Sequence, residues 1–356
     1  MTSVADLLCE LVRFRTHQNG GEERPMCEFL ATRLAASADD VFVRDAPRSD
    51  GTTGAYVFAR WGTPRRVINA HVDTVPANAG WSREPWEPYI SGDALYGLGS
   101  ADTKAAIAAT LIAIDDARPT DRGVLFSGDE EAGSAVMHAC LQRESIARAI
   151  KEVIVCEPSA RTAGVAHRGV IAQRAALDGP GGHSSKADHV AKPMVALAQL
   201  AVALDASARR RVNDGPAGMT GTCLNIAGMA GGVAFNVIPA HAELEWSLRQ
   251  YPGFDRADWD REVAELARAI DPAIAIATTI DHAPFQCLAL AELVRPFVTS
   301  IGPLDYWTEA ALWSAHGADA IVIGPGDITK AHSPDEHVPL ADLEWAVALY
   351  RALLTS

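Results

Sequence analysis

The sequence predicts an α/β fold in which a mostly parallel sheet, covered by helices on both faces, is interrupted by an inserted α+β domain. Three observations carry this expectation. Several strand-like runs are apolar throughout rather than alternating, as strands buried on both faces are. These runs alternate with helical patterns, which argues for parallel connections. From about His167 the order changes to strand, helix, strand, strand, helix, strand.

Taken in order, MTSVADLLCELVRF predicts an amphipathic N-terminal helix, because no basic region precedes its apolar residues and acids lie among them. AYVFARW is a strand leading into RRVINAHVD, whose apolar run stops at His71. TKAAIAATLIAIDDA predicts a buried, alanine-rich helix beginning just after Asp102. GVLFSGDEE and KEVIVCEPS are apolar strands that end in acids, ADAIVIGPGD is a fourth such strand, and ADLEWAVALYRALLTS is a closing helix. Between them lie GVIAQRAALDG (strand), HVAKPMVALAQLAVALDASARR (helix), GTCLNIAGM and HAELEWSLRQ (strands), DWDREVAELARAI (helix) and AIAIATTI (strand). That βαββαβ order suits a ferredoxin-like domain. The expected boundaries are 167–282 for the insert, and 1–166 with 283–356 for the larger domain.

Composition narrows the function classes. The 356 residues carry a formal charge of −14, which argues against nucleic acid and anionic membranes as partners. No apolar run approaches the length of a membrane span. The six cysteines (Cys9, Cys27, Cys140, Cys156, Cys223, Cys287) show no CxxC spacing and are expected to be buried thiols in a reducing, cytoplasmic setting.

Imidazole and carboxylate groups cluster at the expected strand ends, and an open α/β sheet binds ligands beyond those ends. They are His71 and Asp73 in INAHVDTVP, Asp102 in GLGSADTK, Glu130 and Glu131 in FSGDEEAGS, Glu157 in IVCEPS, and His332 in KAHSPDE. Such ligands suit zinc, cobalt or manganese, and the set is expected to hold two metals that share a carboxylate in a metal-dependent hydrolase. His71 is then a ligand and Asp73 the acid behind its ring. Asp102 is either a helix N-cap or a bridging carboxylate, and the company of His71 and the paired glutamates favours the bridge. Glu130 and Glu131 repel each other unless a cation or proton intervenes. Glu131 is expected to be a ligand and Glu130 the general base. Glu157 is held before a proline. His183, in GPGGHSS, is either a loop residue or reaches the site from above. His17, His138, His189, His241, His282, His316 and His337 lack acids at useful spacing and are expected to be structural. No GxSxG elbow occurs, and no cysteine has a recognisable base partner. GLGSAD imitates part of a dinucleotide-binding loop but lacks its third glycine.

With those motifs in view, the chain resembles the metal-dependent amidohydrolases of the M20 peptidase family. The resemblance spans HVDTVP (71–76), GLGSADTKAA (97–106), SGDEEAGS (127–134), CEP (156–158), GGHSS (181–185), FNVIP (235–239) and AHSPDE (331–336), in family order. WTEA (307–310), IGPGD (323–327) and AHRG (166–169) look most like the deacetylases of acetylornithine and acetylcitrulline. ADTKAA departs from the DMKG of many relatives. The resemblance implies two divalent ions, zinc or alternatively cobalt: one held by His71 and Glu157, the other by Glu131 and His332, with Asp102 bridging. It implies Glu130 as general base, Asp73 behind His71, and His183 as a lid histidine serving the neighbouring subunit of a homodimer. Asn236 and Arg249 match positions that contact a substrate carboxylate, and Glu309 is a candidate for a cationic or ureido side chain. The implied reaction is deacylation of an N-acyl amino acid. The rivals are a desuccinylase, an aminoacylase or a dipeptidase with the same centre, and a silent metal- or amino-acid-binding protein.

Overall fold

The computed structural model describes residues 2–17, 21–117, 119–143 and 148–356. Its sheet is organised around Arg66–His71, a strand buried at every residue. A strand apolar on both faces needs a partner on each edge and cover on each face. Arg122–Ser127 pairs with it in parallel on one side and Glu152–Val155 on the other, and Asp319–Val322 adds in parallel beyond Glu152–Val155. The flanks are antiparallel. Thr53–Trp61 pairs with Arg122–Ser127, Asp40–Pro47 pairs with Thr53–Trp61, and Thr162–His167 meets Asp319–Val322 at Gly164. Asp40–Pro47 and Thr53–Trp61 are separated by a short turn, too short for the crossover that a parallel pair requires. The centre of the sheet is therefore parallel and its edges are not.

Helices cover this sheet. Lys104–Ala117 is buried along most of its length, and its alanines allow close packing against Leu340–Thr355. The helix Val4–Val12 joins them. Its N-terminus is closed by a capping box, in which Ser3 accepts from the Asp6 N–H and the Asp6 carboxylate accepts from the Ser3 N–H. Leu7, Leu11, Met26, Ile107, Leu111, Val347 and Tyr350 share the resulting core.

The chain divides into two compact units: Met1–Val165 with Cys287–Leu304 and Thr308–Ser356, and Ala166–Gln286 with Asp305–Trp307. In the second unit four antiparallel strands lie in the order Cys223–Gly231, His241–Gln250, Gly169–Asp178, Ala275–His282. Along His241–Gln250, Ala242, Leu244, Trp246 and Leu248 are buried and alternate with more exposed residues, so one face of the sheet carries the core. The helices Pro193–Arg210 and Arg256–Ile270 supply Leu197, Leu200, Leu204, Trp259 and Val263 to it. This is the ferredoxin-like βαββαβ arrangement. The long helix starts at Pro193 rather than near His189, because proline's fixed φ suits the first helical position; Ser184–His189 forms 3-10 turns instead.

Three short strands, Tyr89–Ser91, Ala94–Tyr96 and His337–Pro339, form a separate small sheet. At three residues each they are too short to leave a periodic signature. Cys27, Cys140 and Cys156 are buried, whereas Cys223 is exposed on an edge strand. No helix among the described residues is long and apolar enough to cross a membrane.

Candidate metal centre

The parallel strands deliver acids and imidazoles to their carboxyl ends. His71 is the last residue of Arg66–His71 and is 2% exposed. Its Nδ1 lies 3.0 Å from the Asp73 backbone oxygen, and its Nε2 lies 3.0 Å from Asp102 Oδ1 and 4.0 Å from Glu157 Oε2. Glu157 follows Glu152–Val155 by two residues and is buried. Asp102 stands just before the helix Lys104–Ala117, and its peptide bond to Thr103 is cis. Glu130 and Glu131 open a single 3-10 turn after Arg122–Ser127. His332 returns from the C-terminal part of the chain with Nε2 2.8 Å from Glu131 Oε1 and 3.4 Å from Asp102 Oδ2.

Two groups of three result: His71, Asp102 and Glu157, and Asp102, Glu131 and His332. Within each group one ligand atom per residue lies within 4.8 Å of the others. Asp102 belongs to both. Asp73, fully buried, does more than stand behind His71. Its two carboxylate oxygens accept the backbone N–H groups of Glu130 and Glu131, each at 3.2 Å. One acid thus fixes both the imidazole and the turn that carries the paired glutamates.

Electrostatics tests whether cations fit here. Burial, and then the surrounding carboxylates, raise Glu130 and Glu157 well above the usual carboxyl range, and burial raises Glu131 too. Burial opposes charge on His71, yet hydrogen bonds to Asp102 and Asp73 raise it well above an ordinary imidazole. Asp102 and Glu131 push His332 up to about 11. Burial likewise opposes ionised Asp102, but hydrogen bonds from His332 and His71 hold it below the normal carboxylate range. Carboxylates crowded together and withdrawn from water in this way are stabilised as anions by nearby positive charge. A set of oxygen and imidazole donors with a shared carboxylate fits a pair of divalent ions.

A sequence profile of Peptidase family M20/M25/M40 matches residues 67–356. The chain belongs to this family. N-acetyl-L-citrulline deacetylase of Xanthomonas campestris pv. campestris is 36% identical over 314 residues, 83% of this chain and 82% of that one. Succinyl-diaminopimelate desuccinylase of Stenotrophomonas maltophilia is 27% identical over 380 residues, covering 99% of each chain. The M20 family metallo-carboxypeptidase Sso-CP2 from Sulfolobus solfataricus shares the fold, with a TM-score of 0.78 at 16% identity over 100% of this chain and 99% of that one.

Elsewhere in this M20 metallohydrolase, the candidate residues are distributed between the two units. His183 is exposed on a two-residue strand paired with Val237–Ile238; its Nδ1 accepts the Ser185 N–H, and the next N–H, that of Ser184, donates to the Asn236 carbonyl at 3.0 Å. His183 and Asn236 are therefore neighbours within the second unit. Arg249 is exposed on the same unit's sheet, opposite Cys223. Glu309 lies in the first unit. It is 2% exposed, accepts from Ser127 Oγ at 3.2 Å, and is pushed up to about 7 by burial and then by Asp73. The helix Ala310–Ala315 that it precedes packs on Glu152–Val155 and Asp319–Val322, which draws Glu309 inward. Sequence reasoning assigned no role to Glu336 or Lys104, both buried beside the Asp102 loop.

Proposed function

We propose that the protein deacylates an N-acetyl amino acid of the acetylcitrulline or acetylornithine type, releasing the free amino acid and acetate. The observation that carries this is the pair of three-residue groups sharing Asp102, with Glu130 beside them, in a chain 36% identical to an N-acetyl-L-citrulline deacetylase. Held by His71, Asp102 and Glu157 and by Asp102, Glu131 and His332, two divalent ions, zinc or cobalt, would acidify water and polarise the scissile carbonyl.

The chain's own residues do the rest. Glu130, whose proton affinity burial raises, takes a proton from the attacking water and returns it to the departing amine. Asp73 holds the Glu130 and Glu131 backbone so that the base does not swing away during the transfer. Arg249 presents a forked cation suited to an α-carboxylate, with Asn236 as a further polar contact. His183 donates to the oxyanion, and following the family pattern it serves the neighbouring chain of a homodimer built through the second unit. Glu309, buried against Ser127, is the candidate to meet a cationic or ureido side chain of the substrate.

The test is an amine-release assay on acetylcitrulline, acetylornithine, other acetylated amino acids, N-succinyl-diaminopimelate and dipeptides, with and without chelator. Chelator-sensitive release from an acetylated amino acid is expected. A desuccinylase is the second reading, favoured by the match to such an enzyme over 99% of both chains, and preferential release from the succinyl compound would replace the first.

A further inference from the structure

Glu336 lies four residues beyond His332 and is 1% exposed. Its Oε1 accepts the backbone N–H groups of Ala101 at 2.9 Å and of Asp102 at 3.1 Å. Its own carbonyl accepts the Gly97 N–H at 2.9 Å and the Ser100 hydroxyl at 3.3 Å. One residue therefore holds the loop Gly97–Asp102 at four points along its length. The pairing of His337–Pro339 with Ala94–Tyr96 continues the same attachment on the far side of Gly97. On the near side, His332 Nε2 approaches Asp102 Oδ2.

A carboxylate withdrawn from water is costly unless its oxygens are engaged. Glu336 spends that cost on two adjacent N–H groups, one of them belonging to Asp102. The pattern repeats that of Asp73, whose carboxylate holds the N–H groups of Glu130 and Glu131. Lys104, fully buried one residue past Thr103, donates from Nζ to the Phe14 carbonyl at 2.8 Å and so ties the start of the following helix to the N-terminal segment.

We infer that Glu336 is a positioning residue for the metal centre: it fixes the backbone at Asp102, and through it the direction of the carboxylate that both three-residue groups share. The inference rests on the two-cation reading of the site. It also explains how one C-terminal segment serves two purposes, since it brings His332 to the centre and steadies Asp102 at the same time.

The experiment is a calorimetric titration of the metal-stripped full-length protein with Co2+, read together with the visible absorption of the bound cobalt and the melting temperature of the stripped protein. The variants are Glu336→Gln, Glu336→Leu and Leu34→Ala, the last a core truncation in the helix Glu23–Leu34. The wild type is expected to bind two ions per chain. Glu336→Gln keeps one acceptor oxygen but loses the charge, and Glu336→Leu removes the acceptor altogether. Loss of an outer partner of a metal ligand weakens binding about 10- to 100-fold, so Glu336→Gln should fall at the low end and Glu336→Leu at the high end, with an altered cobalt spectrum in both. Leu34→Ala should melt earlier while keeping wild-type affinity and spectrum. Wild-type affinity and spectrum in Glu336→Gln and in Glu336→Leu, whatever their melting temperatures, overturn the positioning role and leave the two-cation centre standing. A wild type that binds no Co2+ overturns both.

Discussion

Replacing Asp73 by asparagine is the most direct probe of how the site is held together. The aspartate is fully buried, and its two oxygens each accept one N–H, from Glu130 and from Glu131, at 3.2 Å. Asparagine fills the same volume and keeps one oxygen. Its amide NH2 then faces one of the two N–H groups, so one charge-assisted bond is lost and two donors are set against each other. Such a loss costs about 1–3 kcal/mol. If the strain is expressed where the turn must hold Glu130 against the transferring proton, kcat/KM falls about 5- to 160-fold, since each 1.36 kcal/mol is a factor of ten. The assay is amine release from the best acetylated substrate at saturating cobalt, with kcat and KM resolved separately. The fall should appear mainly in kcat, because the N–H pair orients the base rather than the substrate. Wild-type kcat in Asp73→Asn, in a protein that still binds its full complement of metal, refutes the idea that this carboxylate sets the glutamate turn.

Other expected outcomes follow from the same geometry. Glu130→Ala should retain its metal by elemental analysis while kcat drops about 10²- to 10⁴-fold, the range for loss of a general base. His332→Ala removes the only imidazole of the second three-residue group, and calorimetry should show one cation site lost or weakened while the other keeps its affinity. Gly128→Ala would push a methyl group onto the Glu23 carboxylate, which is paired with buried Arg48, and overpacking of this kind costs about 1–3 kcal/mol in urea unfolding.

Much of the sheet was legible because its strands are apolar throughout and end abruptly in polar residues. That abrupt change locates His71, the Glu130–Glu131 pair and Glu157, each within four residues of a strand end. The ferredoxin-like order was legible for a related reason: His241–Gln250 alternates cleanly, and Arg256–Ile270 has a helical apolar stripe begun by an Asp255 cap. What stayed hidden has no local signature. Glu336 and Asp73 act on backbone N–H groups of other segments, and nothing about a glutamate or an aspartate in sequence reveals that it accepts such bonds. The burial of Glu309 was not legible either, because it follows from the packing of Ala310–Ala315 on two strands. The flanking antiparallel strand Asp40–Pro47 was missed because it is charged at Asp40, Arg44 and Asp45 and only half-covered.

The position of Asp319–Val322 between Glu152–Val155 and Thr162–His167 has a consequence for biosynthesis. A nascent polypeptide reaching residue 318 has no neighbour for the outer edge of Glu152–Val155, and unpaired edges of that kind attract strands from other molecules. The four long strands and two helices between Gly169 and His282 meanwhile contain all their own partners, so this block can settle while translation of the remainder proceeds. Asp319–Val322 supplies the strand that fills the gap, and His332 follows ten residues later. A product cut short before residue 319 would lack both the strand that closes this gap and one residue of the second three-residue group.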